Sequence, residues 1–181
     1  MNKKVLIAYF SHEGEAYAGG KIVTLEIGNT RVAVQMMEDM TGADVFRIET
    51  VNPYPYNHME TVRLAQEEQK ENARPELKGN EINIEPYDTI ILGYPTWWYT
   101  MAPAVLTFLH TESFADKTVI PFMTNAGWPG NVIKDMKTAC KGADIKYEME
   151  IQFDSTGGSR LETPMEEITK WIQNVKKIIN D

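Results

Sequence analysis

The sequence predicts an α/β protein, a three-layer doubly wound sandwich whose five parallel strands lie in the order 2-1-3-4-5. Three observations lead there. Strand-like and helix-like segments alternate five times along 181 residues, with no repeat and no domain-sized linker. Such alternation is what parallel strands joined by helical crossovers produce. Three strand segments are continuously apolar, as strands covered on both faces are, whereas two alternate apolar with charged residues, as edge strands do. The length suits one domain over residues 1–181.

Composition narrows the function classes. Apolar residues make up 43% and charged residues 24% of the chain, the balance of a globular protein in water. The net charge of −8 argues against nucleic-acid binding and is compatible with partners that carry basic patches. One cysteine, Cys140, excludes an internal disulfide and a multi-cysteine metal or iron–sulfur centre, and its place on an apolar helix side marks it as core filler. No apolar run reaches membrane-spanning length, and Met1–Lys4 leads straight into a strand, so a cytoplasmic protein is expected.

Taken in order, Lys4–Phe10 is a buried strand that ends at Ser11. Residues 12–27 separate this strand from the first helix; Gly19-Gly20 and the run Lys21–Ile27 suggest a hairpin inserted there. The helix runs from Asn29-Thr30 to Thr41, with Ala33, Met36, Met37 and Met40 on its core face and Gly42 as its stop. Asp44–Glu49 is an edge strand, and Asn52–Asn57 a turn-rich connection. A strongly polar helix from Met59 to about Ala73 should cover the sheet only partly.

The stretch Ile90–Met101 organises the rest. Ile90-Ile91-Leu92 is a central strand; Gly93, Pro95 and three successive aromatic residues are expected to end it. Pro103 opens a helix through Leu109. Lys117–Thr124 is the fourth strand, with a bulge expected at Pro121, and Asn125–Asn131 a loop at its end. Val132, Ile133, Met136 and Cys140 share a helix face, Ile145–Ile151 forms the second edge strand, and Thr163–Glu166 is a capping box opening the last helix.

Three loops should meet at the carboxyl edge of this sheet, where open α/β folds bind ligands. Trp97, Trp98 and Tyr99 cannot all share one buried face, so they suggest a wall for a flat aromatic ligand. Ser11, Gly28, Asn29 and Thr30 place small donors before a helix N-terminus, a setting that favours a phosphate, although Gly-Asn-Thr is also a plain N-cap. The Gly-Lys-Ser/Thr ending of a nucleoside triphosphate loop and the three-glycine dinucleotide fingerprint are both missing, which leaves a mononucleotide as the better fit.

Ala8-Tyr9-Phe10-Ser11, Gly28-Asn29-Thr30, Gly93-Tyr94-Pro95-Thr96-Trp97-Trp98, residues 71–79 and Thr124-Asn125-Ala126-Gly127 together resemble the flavodoxin-like FMN-binding proteins. The resemblance covers essentially the whole chain, and Tyr-Pro-Thr-Trp-Trp is its most specific part. Strand order 2-1-3-4-5 with FMN at the strand-one/strand-three switch point is that family's own arrangement, so the cofactor's place is taken from the resemblance. It implies Ser11, Asn29 and Thr30 as phosphate ligands, and Pro95, Thr96, Trp97, Trp98, Tyr99, Asn125, Ala126 and Gly127 as flavin contacts. Trp128 is either a cover for the ring or a surface anchor. The departure is the insertion at 12–27, which separates Ser11 from Asn29 and is expected to fold as a flap over or beside the site.

The resemblance further implies electron transfer: an oxidoreductase taking electrons from NAD(P)H to a quinone-like acceptor, or a carrier between redox partner proteins, while a flavin-free binding module stays open. No side chain stands out as acid or base. His12 and His58 could reach a substrate, and His110 suits a helix C-terminus. A homodimer is compatible with the apolar residues of the insertion.

Overall fold

The computed structural model describes residues 3–18, 20–79, 82–154 and 159–180. Its elements follow in chain order: β1 (Val5–Tyr9), β2 (Gly14–Ala18), β3 (Lys21–Leu25), α1 (Asn29–Thr41), β4 (Asp44–Arg47), α2 (His58–Glu71), β5 (Thr89–Trp97), β6 (Thr100–Met101), α3 (Pro103–Thr111), β7 (Thr118–Asn125), α4 (Val132–Ala139), β8 (Asp144–Ile145), β9 (Met149–Gln152) and α5 (Met165–Asn180). The main sheet runs β4-β1-β5-β7, closed on its outer side by β8 and β9, all parallel. That is the order 2-1-3-4-5 expected of the sequence.

Successive residues of the central strands point to opposite layers, which is why β1, β5 and β7 read as unbroken apolar runs. Leu6, Ala8, Ile90 and Leu92 pack with Val105, Phe108 and Met136 of α3 and α4. Val5, Ile7, Ile91 and Phe122 pack with Val34, Met37, Ile172 and Val175 of α1 and α5. Helix α2 buries only Thr61 and Ala65, in keeping with its polar sequence.

Strand β5 does not stop at Gly93 but continues to Trp97. Glycine is needed there for packing: a Cβ at Gly93 would lie 2.1 Å from Cζ of Phe122. Pro95 costs the ladder nothing. The Gly93 carbonyl accepts from the Phe10 N–H, so alternate residues of β5 face β1, and β1 has already ended by the level of Pro95. The same logic removes the bulge expected at Pro121, which stays in register with Leu92. Lys146 N–H donates to the Val119 carbonyl and Phe153 N–H to that of Asn125, so the missing donor of Pro121 faces outward. It falls in the gap between β8 and β9.

That gap is the second departure. The single edge strand expected over 145–151 is broken in two, with Tyr147 between the halves in the left-handed region at φ 49°. At α5, the Thr163 hydroxyl turns towards β9 and accepts the Gln152 N–H at 2.7 Å. The inserted hairpin forms as expected in β2 and β3, which pair only with each other. Of its expected Gly19-Gly20 turn, Gly19 lies outside the described residues. No helix among the described residues is long and apolar enough to cross a membrane.

Candidate functional site

A cavity of about 600 Å³ opens at the carboxyl edge of the sheet, between the N-terminus of α1, the end of β5, the end of β7, the hairpin and α2. It is of the size small-molecule sites usually have. Ser11, Asn29, Thr30, Pro95, Thr96, Trp97, Trp98, Tyr99, Asn125 and Ala126 all line it, and so does Trp128. Gly127 does not; its N–H turns to Oδ1 of Asn125 at 2.7 Å, and it shapes the loop from behind.

One end suits an anion without cations. Gly28 is the N-cap of α1 and gives no side-chain cap, and the first turn carries no acidic residue. The positive end of the helix dipole therefore faces the cavity uncompensated. Ser11 Oγ accepts the Arg31 N–H at 3.2 Å, which leaves its own hydrogen to donate. The buried hydroxyls of Thr30 and Thr124 share one bond at 2.8 Å; whichever accepts keeps a hydrogen free. A Cβ on Gly28 would stand 2.3 Å from Ser11 Oγ and 2.4 Å from the His12 carbonyl oxygen. The cradle is thus closed to any residue but glycine.

The other walls are aromatic. Beyond Trp97, residues Trp98 and Tyr99 form a two-residue turn between β5 and β6, both left-handed at φ 53° and 64°. Neither is glycine or asparagine, and each such conformation costs about 1–2 kcal/mol. A neighbouring loop and helix α2 hold the turn: Asn131 N–H donates to the Tyr99 carbonyl at 2.8 Å, and Gln69 Nε2 to the Trp98 carbonyl at 3.3 Å. Thr96 and Thr100 are tied to Pro129 and Asp135 in the same way. Across the cavity floor, Asn125 donates to Glu150 while accepting from Gly127, which fixes the β7 loop.

Sequence reasoning missed a ring cluster under Trp97. Phe10, Tyr54 and His12 surround it at centroid distances of 5.8, 5.2 and 5.7 Å. Only the tyrosine–proline alternation at 53–56 hinted that this connection carries structural side chains. Burial keeps His12 below the usual histidine range; Glu13 opposes the shift, while Arg47 and His58 add to it. Its Nε2 is buried without a partner. His110, expected at a helix C-terminus, sits in the last turn of α3 and accepts from Arg74 Nε through Nδ1 at 3.2 Å.

The hairpin contributes to the wall of the cavity. Its base is held by Arg47, which bonds Glu13 at 2.5 Å and the Ser11 carbonyl at 3.3 Å. Its first strand is clamped to α2: Glu15 N–H donates to the Tyr56 carbonyl at 2.8 Å. The Glu15 carboxylate accepts from Asn57 Nδ2 at 2.7 Å and from the His58 N–H at 3.0 Å. Glu15, Ala16, Tyr17 and Leu25 thereby become cavity walls.

The sequence profile of the flavodoxin family, described as Flavodoxin, matches residues 4–175. The chain belongs to that family. Among solved structures, a candidate flavoprotein of Bacteroides eggerthii is similar at 26% identity and TM-score 0.67, covering 96% of this chain and 98% of its own. One from Bacteroides uniformis is similar at 23% identity and TM-score 0.68, covering 96% and 99%. A Lactobacillus acidophilus flavoprotein in complex with FMN is similar at 19% identity and TM-score 0.65, covering 93% and 98%. No curated protein matches the chain. FMN is the cofactor of this flavodoxin-family chain, and the donors at α1, the glycine cradle and the aromatic walls fit it.

Proposed function

We propose that the protein is an FMN-dependent oxidoreductase that passes electrons from NAD(P)H to a small quinone-like acceptor. Bound FMN would supply the redox chemistry, taking up and releasing electrons. The chain supplies binding and exclusion of water. Ser11, Asn29 and Thr30, with the α1 N-terminus, hold the phosphate. Pro95 to Tyr99, Asn125 and Ala126 would border the ring system, Gly127 would shape their loop, and Trp128, exposed at the rim, would be placed to cover the ring.

The observation that carries the enzyme reading is the hairpin. An electron carrier needs its flavin edge open to a partner protein, whereas here Ala16, Tyr17 and Leu25 of the hairpin and Val62 and Ala65 of α2 add apolar walls to the cavity. An apolar recess walled in this way suits small molecules. The second reading, a carrier docking on basic redox proteins, is favoured by the net charge of −8.

The two separate in one experiment. FMN-loaded protein is given NADH or NADPH with 2-methyl-1,4-naphthoquinone, and in parallel is given a flavodoxin reductase. Turnover of the nicotinamide with quinone supports the oxidoreductase. Reduction by the reductase alone, with no quinone turnover, overturns it in favour of the carrier.

A further inference from the structure

The cavity has more lining than the residues assigned to FMN. Past the residues assigned to FMN it continues between the hairpin and α2, where Tyr17, Leu25, His58, Val62 and Ala65 line it. We propose that this end is an acceptor subsite for flat, uncharged aromatic molecules bearing a carbonyl oxygen, with Tyr17 and His58 as its wall and Glu15 as the group that turns anions away. The inference rests on the oxidoreductase reading and names which acceptors it takes.

Three features of the walls set the chemistry. Tyr17 and His58 stack nearly parallel, with rings 24° apart and centroids at 6.3 Å, and bring aromatic surface from two different elements to this end. Tyr17 is 46% exposed, so beyond its contact with His58 it has ring surface left for a ligand. Aliphatic Leu25, Val62 and Ala65 complete an apolar lining that a polar ligand would gain nothing from.

The polar groups are few and of one kind. His58 donates its backbone N–H to Glu15, but its ring makes no hydrogen bond among the described residues, so a ring N–H is free for an acceptor oxygen. Thr61 is no competitor, since its hydroxyl already serves the carbonyls of Pro55 and Asn57. Glu15 is the one carboxylate in the wall, and no lysine or arginine lines the cavity among the described residues. Arg31 and Arg47 are engaged behind it, on Glu38 and Glu13. A carboxylate or sulfonate on the acceptor would meet the Glu15 charge in an apolar setting with no cation to offset it.

The test is binding to FMN-loaded protein by equilibrium dialysis, with 2-methyl-1,4-naphthoquinone and 1,4-naphthoquinone-2-sulfonate as probes. The neutral quinone should bind at least about tenfold tighter than the sulfonate at low salt. Glu15→Gln, which keeps an acceptor oxygen for Asn57 and His58, should bring the two within about threefold. Tyr17→Ala and His58→Gln should each weaken the neutral quinone by about three- to tenfold, the range that an aromatic contact or a hydrogen bond supports. Flavin absorbance in the same samples separates the two levels of inference. Protein that keeps FMN but binds both quinones alike, or whose Tyr17 and His58 variants bind as the parent does, overturns the subsite alone. Protein that takes up no FMN removes the oxidoreductase reading and the subsite with it.

Discussion

Gly28→Ala asks whether the anion cradle is what the geometry makes it. Backbone strain plays no part, since φ and ψ at Gly28 are −67° and 147°, open to any residue. Everything depends on space. The added methyl would lie 2.3 Å from Ser11 Oγ and 2.4 Å from the His12 carbonyl oxygen, about an ångström inside contact. A serine hydroxyl can rotate away; a carbonyl cannot without moving its chain. The Ser11–His12 segment must therefore retreat from α1, which moves the Ser11 hydroxyl away and loosens the bond it accepts from the Arg31 N–H. Overpacking of this kind costs about 1–3 kcal/mol, which corresponds to about 5- to 150-fold in Kd. Titration by flavin fluorescence should show FMN affinity falling by at least that lower figure while riboflavin, without the phosphate, changes by less than about twofold. Gly42→Ala is the comparison. Its φ is 64° and nothing lies within 4 Å, so it should lose about 1–2 kcal/mol of stability through the left-handed backbone and bind FMN as before. A Gly28→Ala variant that discriminates FMN from riboflavin as well as the parent would refute the cradle.

Trp97→Ala should lower the unfolding free energy by about 3 kcal/mol, because Phe10, Tyr54 and His12 pack on the ring, and should shift FMN affinity and redox potential; Trp98→Ala should shift the flavin properties with a smaller loss of stability. If denaturant titration and potentiometry find the flavin indifferent to both, the aromatic wall is core and nothing more. Replacing residues 13–26 by a short Gly/Ser link should leave the fold intact, as β2 and β3 pair only with each other, yet speed FMN release or widen the acceptor range; unchanged release and range would show an idle hairpin. His12 is held neutral by burial, so its native pKa lies below that of the unfolded chain, and the unfolded chain takes up the proton first. Stability should be full above about pH 6.5 and fall as pH drops through that value. His12→Gln should flatten this slope between about pH 7.5 and 5.5, and an equal slope in the two proteins would place His12 outside the effect.

The layered order of the sheet was legible because two-sided burial leaves a plain mark: no charge interrupts β1 or the first half of β5, and charges punctuate both outer strands. The residues that meet in the cavity were legible for a different reason, since small donors before a helix and three adjacent aromatic residues have few other uses. What escaped was register. Gly93, Pro95 and Pro121 look like breakers on paper, but each sits where the ladder needs no side chain or no donor, and that depends on which neighbour has already ended. The hairpin could be placed by its two ends, yet not its partner α2, because Glu15, Asn57 and His58 are brought together only by folding. For the same reason the packing of His12 against Trp97 and Tyr54 left no mark in the sequence.

The split between β8 and β9 bears on how copies of this chain can meet. A straight outer strand offers an unbroken row of donors and acceptors to any passing strand, the usual start of sheet-to-sheet polymerisation. Here that row is interrupted. Tyr147 reverses the local backbone, and Trp171 Nε1 occupies its carbonyl at 2.5 Å. Lys146 and Glu148 on either side of it are ion-paired to Asp144 and Lys137. No second chain can lie flat along such an edge for more than about two or three residues. Self-association through this edge is therefore blocked by the shape of the strand itself, and a sheet shared between two copies would have to form elsewhere, at β4 or at the hairpin.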